Sequence, residues 1–243
     1  MVLTVDIGNT KTAIAAWAGP AAVGVREAPT HEDRDWLAWV REGEHPVRRV
    51  AVASVVPAAT ARWLAVAEAL GVEAFVLTGR NAPGLRVEVD EPDVVGPDRL
   101  ANALGALDHA AGDWVTVGFG TATIIDVVRH DGRFLGGAIA PGAATALRAL
   151  VARTARLPGV PLVPPARTIG RNTIEAMQAG AVLGHAALVD GLIARMEAEL
   201  GLTLRGLGTG GLADRFLPLC QRVDTIDPLL TLRGLRRATE LRE

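Results

Sequence analysis

The chain of 243 residues contains no tyrosine, one cysteine and, among its 25 basic residues, one lysine. With Cys220 as the only cysteine, an internal disulfide and a cysteine-based zinc site are excluded, which favours a reducing, cytoplasmic setting. The five histidines show no metal-ligand spacing, and the sequence has no Walker A, G-x-S-x-G or H-E-x-x-H motif. The motifs of P-loop enzymes, serine hydrolases and zinc proteases are therefore missing.

Long apolar runs and an excess of one charge are missing as well. No uncharged apolar stretch reaches the roughly 18 residues of a membrane span, and the chain opens on a strand-like segment without a basic lead-in. We therefore expect neither a membrane span nor a signal peptide. The net charge of −2 gives no general attraction to nucleic acid or to an anionic membrane, and no DNA-binding motif is present.

One pattern occurs twice, in residues 2–17 and again in residues 114–128. Each copy is a β-rich apolar run, then a glycine followed by a small hydroxyl or amide residue, then a second β-rich run. Gly8, Asn9 and Thr10 belong to the first turn, and Gly120 and Thr121 belong to the second. The pattern predicts two hairpins whose tight turns leave backbone N–H groups exposed.

Such exposed backbone donors bind anions, often phosphate, so two matching turns suggest a phosphate chain held between two domains. Asp6, at the end of the first strand, could hold Mg²⁺ through water. Lys11, the only lysine, stands beside the first turn. The alternative is an ordinary hairpin turn, because Asp, Gly and Asn are common turn residues. The matching second turn favours the functional interpretation.

Strands and helices alternate after an opening three-stranded meander, and the second half repeats the order of the first. This order predicts an α/β protein of two similar domains, each a mixed sheet with flanking helices. We place the boundary near residue 112, which assigns residues 1–112 to one domain and residues 113–243 to the other.

A second candidate segment, Gly96-Pro97-Asp98-Arg99, opens a predicted helix. A carboxylate next to an arginine in the first turn could accept a proton from a substrate hydroxyl while the arginine receives a substrate carboxylate. Proline and aspartate are also favoured there for capping and dipole reasons alone. From the chemistry of these residues alone, the structural interpretation is favoured.

Residues 206–211 match G-x-G-x-x-G between a predicted strand and a predicted helix. Only about 32 residues follow, too few for a complete dinucleotide domain. We favour a glycine-rich turn, including Gly210 and Gly211, that lies against the base and ribose of a nucleotide. A plain strand-to-helix turn is the alternative.

Together these segments resemble the type III pantothenate kinases, which belong to the acetate kinase, hexokinase and actin group with a ribonuclease H-like fold. The matches keep their order and run almost from end to end. They comprise residues 6–10, 54–57, 96–99, 119–122, 136–142, 172–173, 175–180, 210–213 and 227–235.

The resemblance implies a homodimer of two-domain, actin-like subunits with ATP in the cleft between the domains. It assigns Asp6 to Mg²⁺, Asn9 and Thr121 to the phosphates, and Gly210-Gly211 to the adenosine. The family also uses a monovalent cation, K⁺ or NH₄⁺.

The implied reaction is the phosphorylation of pantothenate, the first step of coenzyme A synthesis. The resemblance makes Asp98 the base on the pantothenate hydroxyl and Arg99 the partner of its carboxylate, within the Gly96-Pro97 segment. It also implies that Thr173 reaches the substrate from the partner subunit.

The chain departs from the family at two positions. Gly118 stands where the family has aspartate, and it aligns with Asp6 in the internal repeat. Val89 stands where the family often has tyrosine. Gly118 favours the alternative of a catalytically weak relative with a regulatory or binding role, and Val89 favours a kinase of another small hydroxylated substrate.

Overall fold

The structure is a computed structural model that describes residues 1–32, 34–43 and 46–242. In these ranges the strands are β1 (Val2–Ile7), β2 (Lys11–Ala18), β3 (Ala21–Pro29), β4 (Arg49–Ser54), β5 (Glu73–Val76), β6 (Arg86–Val87), β7 (Trp114–Phe119), β8 (Ala122–Val128), β9 (Arg133–Pro141), β10 (Arg205–Thr209) and β11 (Thr225–Ile226). The α-helices are α1 (Trp36–Arg41), α2 (Pro57–Leu70), α3 (Pro97–His109), α4 (Ala143–Ala152), α5 (Thr173–Gln178), α6 (Gly184–Leu200), α7 (Ala213–Phe216) and α8 (Leu230–Glu240). A π-helical segment, Ala179–Leu183, joins α5 to α6, and 3₁₀ turns occupy Pro92–Val94 and Leu217–Leu219.

The chain forms two compact units. Unit 1 comprises Met1–Ala111, His130–Leu135 and the end of the chain from Leu229, and unit 2 comprises Gly112–Arg129 and Gly136–Pro228. The sequence-based division into residues 1–112 and 113–243 stays a prediction about domains. The compact units differ from it in two segments, because His130–Leu135 and the end of the chain from Leu229, which includes α8, lie in unit 1.

Unit 1 contains a five-stranded sheet in the order β3-β2-β1-β4-β5. The first three strands form the predicted antiparallel meander, and β4 and β5 continue the sheet in parallel. Because side chains alternate along a strand, Leu3 and Val5 face a core that includes Trp63 of α2, whereas Trp17 packs with Leu232 of α8. Helices therefore cover both faces of the sheet.

Helix α8 packs against α3 at unusually close range in unit 1. A Cβ atom added at Gly234 would lie 1.7 Å from the carbonyl oxygen of Ala101, so only glycine permits this approach. Nearby, Thr231 Oγ1 donates to Asn102 Oδ1 at 2.7 Å. This contact fixes α3, and with it the Asp98 segment at the helix N-terminus.

Unit 2 is built on a sheet with neighbouring strands in the order β11-β10-β7-β8-β9. Strands β7 and β8 form the predicted antiparallel hairpin, whereas β10 and β11 add in parallel. The mixed sheets with flanking helices confirm the predicted architecture.

The helical stretch Thr173–Leu200 is long and apolar enough, by length and composition alone, to cross a membrane, whereas the sequence led us to expect no span. The core helix of a soluble protein meets the same criteria, and 44% of the most apolar window is buried inside the structure. Val189 and Ile193 are fully buried, and the carboxylate of Asp190 accepts hydrogen bonds from the backbone of Gln221 and Arg222. These contacts are those of a core helix.

Candidate active site

The first predicted turn is a tight hairpin between β1 and β2. Ile7 pairs with Thr12 across the hairpin, and the Gly8 N–H donates to the carbonyl of Lys11 at 3.0 Å. Among the residues that the structure describes, no acceptor is found for the N–H groups of Asn9 and Thr10. The turn thus has the exposed donors that the sequence pattern predicts, and its role toward phosphate stays a prediction.

Thr30, which the sequence reasoning missed, braces this turn from the end of β3. Its hydroxyl donates to the Gly8 carbonyl at 2.7 Å and lies 3.0 Å from the hydroxyl of Thr12. Its N–H donates to the Thr10 carbonyl at 3.1 Å. No local motif marks Thr30, because its partners stand about 20 residues earlier in the chain.

Asp6 lies near the end of β1, and the pKa of its carboxyl group is raised. Burial and, to a lesser extent, the negative charge of Asp98 raise its pKa from 3.8 to about 7. The charge of Lys11 lowers this pKa, and the charge of Glu27, which forms an exposed ion pair with Lys11 at 2.7 Å, raises it. Asp6 and Asp98 are predicted site residues from distant segments, and the structure places them close enough for the charge of one to affect the pKa of the other.

Asp98 is held by the start of α3. Gly96 is the N-cap residue and Pro97 occupies the first turn, so the capping interpretation of the sequence is also satisfied. A Cβ atom at Gly96 would lie 2.5 Å from Asp98 Oδ1, and glycine therefore leaves room for the carboxylate. The neighbouring Arg99 guanidinium carbon lies 5.7 Å from the ring centroid of Phe134, within range of a cation–π contact.

The second turn connects β7 and β8 and is one residue shorter than the first. Phe119 pairs with Thr123, and the Gly120 N–H donates to the Ala122 carbonyl at 3.1 Å. Within the described ranges no acceptor is found for the Thr121 N–H. Gly120 and Thr121 are both exposed, so this turn also presents a backbone donor to its surroundings.

The start of α4 holds the second turn from behind. The Thr121 carbonyl accepts hydrogen bonds from the Gly142 N–H at 3.0 Å and from the Thr145 hydroxyl at 2.8 Å. A Cβ atom at Gly142 would lie 2.1 Å from the Gly120 carbonyl oxygen. Glycine at position 142 therefore permits the helix to approach the turn this closely.

Gly210 lies directly beside the second turn. Its φ of +93° is a left-handed value that favours glycine, and a Cβ atom there would lie 2.7 Å from the Phe119 carbonyl oxygen. The same carbonyl accepts the Leu212 N–H at 3.2 Å. Gly210 and Gly211 are exposed. The predicted turn at residues 208–211 is shorter than expected, because β10 continues to Thr209.

Gly118 and Thr173 complete the predicted set. Gly118 lies in β7 between Ile124 of β8 and Thr209 of β10, and the nearest atom to an added Cβ would be 3.9 Å away. Packing therefore does not require a glycine here. Thr173 is exposed at the first position of α5, where Asn172 Oδ1 caps the helix by accepting the Glu175 N–H at 2.9 Å.

Among the described residues, no group of three or more histidine, cysteine, aspartate or glutamate side chains is arranged to hold a metal. His45 lies outside the described residues.

Comparisons with known proteins agree on one family. The family model for type III pantothenate kinase matches residues 2–195. A type III pantothenate kinase of Thermus thermophilus is 42% identical over 250 residues, covering 98% of this chain and 98% of the relative. The corresponding enzyme of Thermomicrobium roseum is 41% identical over 255 residues, covering 99% and 97%.

The fold is shared with sugar kinases at much lower sequence identity. The crystal structure of the ROK hexokinase of Thermus thermophilus superposes with a TM-score of 0.51 at 16% identity, covering 99% of this chain and 98% of the hexokinase. That likeness confirms the predicted actin and hexokinase type of fold. Because the family model spans most of the sequence and full-length relatives exceed 40% identity, the chain belongs to the type III pantothenate kinase family.

Proposed function

We propose that the chain transfers the γ-phosphoryl group of ATP to the 4′-hydroxyl of pantothenate, the first step of coenzyme A synthesis. The observation that carries this proposal is the match along nearly the whole chain to curated pantothenate kinases. The carboxylates of Asp6 and Asp98 and the two exposed turns support the proposal, because phosphoryl transfer needs positioning groups, a base and donors for negative charge.

The two turns are proposed to bind the phosphates of ATP. The backbone N–H groups of Asn9, Thr10 and Thr121 have no acceptor among the described residues. This supports the role, because free backbone donors of this kind form anion-binding concavities. Gly8 and Gly120 leave the backbone open to close approach. Lys11 adds a positive charge beside the first turn, although it also pairs with Glu27.

Gly210 and Gly211 are proposed to lie against the adenosine. Their support is positional, since Gly210 contacts the backbone of the second turn and both glycines are exposed. A nucleotide whose phosphates reach Thr121 would thus have its ribose and base close to this glycine pair.

Asp98 is proposed as the catalytic base. As the pantothenate oxygen attacks the γ-phosphorus, the Asp98 carboxylate accepts the hydroxyl proton, the bond to the β–γ bridging oxygen breaks, and ADP leaves. Arg99 would hold the pantothenate carboxylate by paired N–H donors. Gly96 and Pro97 shape this substrate segment by setting the start of α3.

Mg²⁺ is proposed to be held by Asp6 through water. The donor set fits, because oxygen ligands suit this ion, and because burial and then the charge of Asp98 make ionisation of Asp6 unfavourable without a cation. When bound, Mg²⁺ would neutralise charge on the phosphates. Asp6 contributes by offering its carboxylate at the end of β1, a strand that is paired with neighbours on both sides.

The family's monovalent cation, K⁺ or NH₄⁺, fits this chain less well at the expected position. Gly118 has no side chain and therefore supplies no carboxylate there. We propose that any such ion takes its ligands from other groups.

A homodimer is also proposed, with Thr173 reaching the substrate of the partner subunit. In support, Thr173 is exposed and stands between two exposed apolar side chains, Ile169 at 84% and Ile174 at 49%. A second copy covering this surface would bury both isoleucines. Light scattering of the purified protein at several concentrations tests the dimer directly.

We further propose that the enzyme works in the cytoplasm on small molecules, without nucleic acid or membrane partners. The lone cysteine and the near-neutral net charge support this setting. Family membership does not favour the regulatory alternative raised by Gly118, or the other small substrate raised by Val89.

The proposal is tested by mass spectrometry of reaction mixtures containing purified protein, ATP, Mg²⁺, K⁺ and one acceptor each. Pantothenate should gain one phosphoryl group, whereas glucose and glycerol should not. A protein that phosphorylates another acceptor and leaves pantothenate unchanged would refute the assigned substrate.

A further inference from the structure

Both ends of the second turn are held by side chains that sequence reasoning did not single out. Thr123, at the β8 end, has its hydroxyl 2.8 Å from Nε2 of His185 on α6. Phe119, at the β7 end, stacks on Phe216 of α7 with ring centroids 5.3 Å apart and planes 1° from parallel. Each end of the turn therefore has its own partner.

These two partners also contact each other. The His185 ring meets Phe216 edge-on, with centroids 5.1 Å apart and an angle of 61°. Phe119, Thr123, His185 and Phe216 thus form a closed set of contacts beneath the turn, which we call the clamp. All four residues are buried, and buried side chains are close-packed and sit in rotamer minima.

His185 suits this place because burial lowers its pKa, which keeps the imidazole neutral. The π-helical segment Ala179–Leu183 ends one residue before α6 begins and two before His185. One extra residue in a helix rotates everything that follows by about 100° around the axis. The segment thereby helps to set which residue of α6 faces Thr123.

The first turn shows the same arrangement with different residues. Thr12 occupies the position that corresponds to Thr123 and is likewise buried. It bonds to Thr30, which in turn donates to the Gly8 carbonyl. In both halves, therefore, a buried threonine at the end of the turn is fixed by a partner from elsewhere in the chain.

From this geometry we infer that His185 is a positioning residue for the nucleotide phosphates. It acts through Thr123 and Phe216, keeping the Thr121 N–H aimed at the phosphate without touching the nucleotide itself. The inference rests on the proposed function of the second turn. Loss of His185 should weaken ATP binding while leaving the affinity for pantothenate unchanged.

The test compares His185→Leu with His185→Gln, whose amide nitrogen can take the place of Nε2. Steady-state kinetics give KM for ATP and for pantothenate, and calorimetry gives the Kd of a non-hydrolysable ATP analogue. His185→Leu should raise both ATP values about five- to tenfold, as expected for one lost buried hydrogen bond. His185→Gln should stay within about twofold of the wild type on the same grounds.

Two further variants separate positioning from general loss of stability. Thr123→Val removes the other half of the hydrogen bond and should reproduce the His185→Leu effect, which also covers the case that His185→Leu does not fold. Ile193→Ala creates a cavity two turns further along α6, so it should lower Tm without raising KM for ATP.

Wild-type ATP affinity in folded His185→Leu and Thr123→Val would overturn the inference, as would an equal rise of KM in Ile193→Ala. A wild type that binds the ATP analogue without phosphorylating pantothenate would overturn the assigned substrate alone. In that case the calorimetric comparison still decides the role of His185.

Discussion

Replacing Asp6 by asparagine is expected to stabilise the metal-free protein at high pH and to change little at low pH. The reason is the pKa of Asp6, which burial and then the charge of Asp98 raise from 3.8 to about 7 in the folded state. Between these values the unfolded chain releases a proton that the folded protein retains. Rising pH therefore favours unfolding of the wild type throughout this window, and asparagine removes the effect.

The size of the effect follows from the width of the window. Each pH unit costs about 1.4 kcal/mol, and the window spans roughly three pH units, which gives a ceiling of about 4 kcal/mol. Asp6 is partly exposed, so solvent screening should reduce the measured difference below this ceiling, to about 2–3 kcal/mol.

The assay is urea unfolding of both proteins in EDTA, at about pH 4 and about pH 8, followed by far-UV circular dichroism. The free energy of unfolding should be nearly equal at the low pH, with Asp6→Asn more stable at the high pH. Asp98→Asn serves as the matched control, because loss of that charge should lower the pKa of Asp6 and shorten the window. Equal stability of wild type and Asp6→Asn at both pH values would refute the reasoning.

Three further substitutions test other parts of the structure. Asp98→Asn should lower kcat at least about 100-fold while nucleotide affinity stays unchanged, as expected for loss of a general base; a variant with near wild-type kcat would remove Asp98 from that role. Gly234→Ala places a Cβ atom 1.7 Å from the Ala101 carbonyl oxygen and should destabilise the protein by about 1–3 kcal/mol or more in urea unfolding. Its control Gly191→Ala, which meets nothing within 4 Å, should be neutral or stabilising by up to about 1 kcal/mol, and similar losses in both would contradict the packing argument. Gly118→Asp should fold normally, because the atom nearest to an added Cβ is 3.9 Å away. The variant should also lower the K⁺ concentration for half-maximal activity. An unchanged K⁺ dependence would show that position 118 is not a cation site.

The hairpins were predictable because their signals are local. Alternating apolar residues on both sides of a glycine define each strand and each turn, and the structure confirms the hairpins around Gly8 and Gly120. The helix after Pro97 was predictable for the same reason, since proline and aspartate at its start are local signals. The full-length order of these motifs also carried the family resemblance.

Contacts between distant segments were not predictable from one sequence. Gly206 opens the glycine-rich stretch 206–211, and it lies within β10, where a Cβ atom would be 2.0 Å from the Arg222 carbonyl oxygen. That glycine permits close packing and has no part in the turn. The roles of Thr30 and His185 were not predicted, because each residue stabilises its turn through a hydrogen bond to a residue that is distant in the sequence.

The central proposal is that the turns at Asn9 and Thr121 bind the phosphates of ATP. A crystal structure with a non-hydrolysable ATP analogue and Mg²⁺ tests it most directly. We predict phosphate oxygens within hydrogen-bond distance of the backbone N–H groups of both Asn9 and Thr121. An analogue bound at only one of these turns, or at neither, would contradict the account.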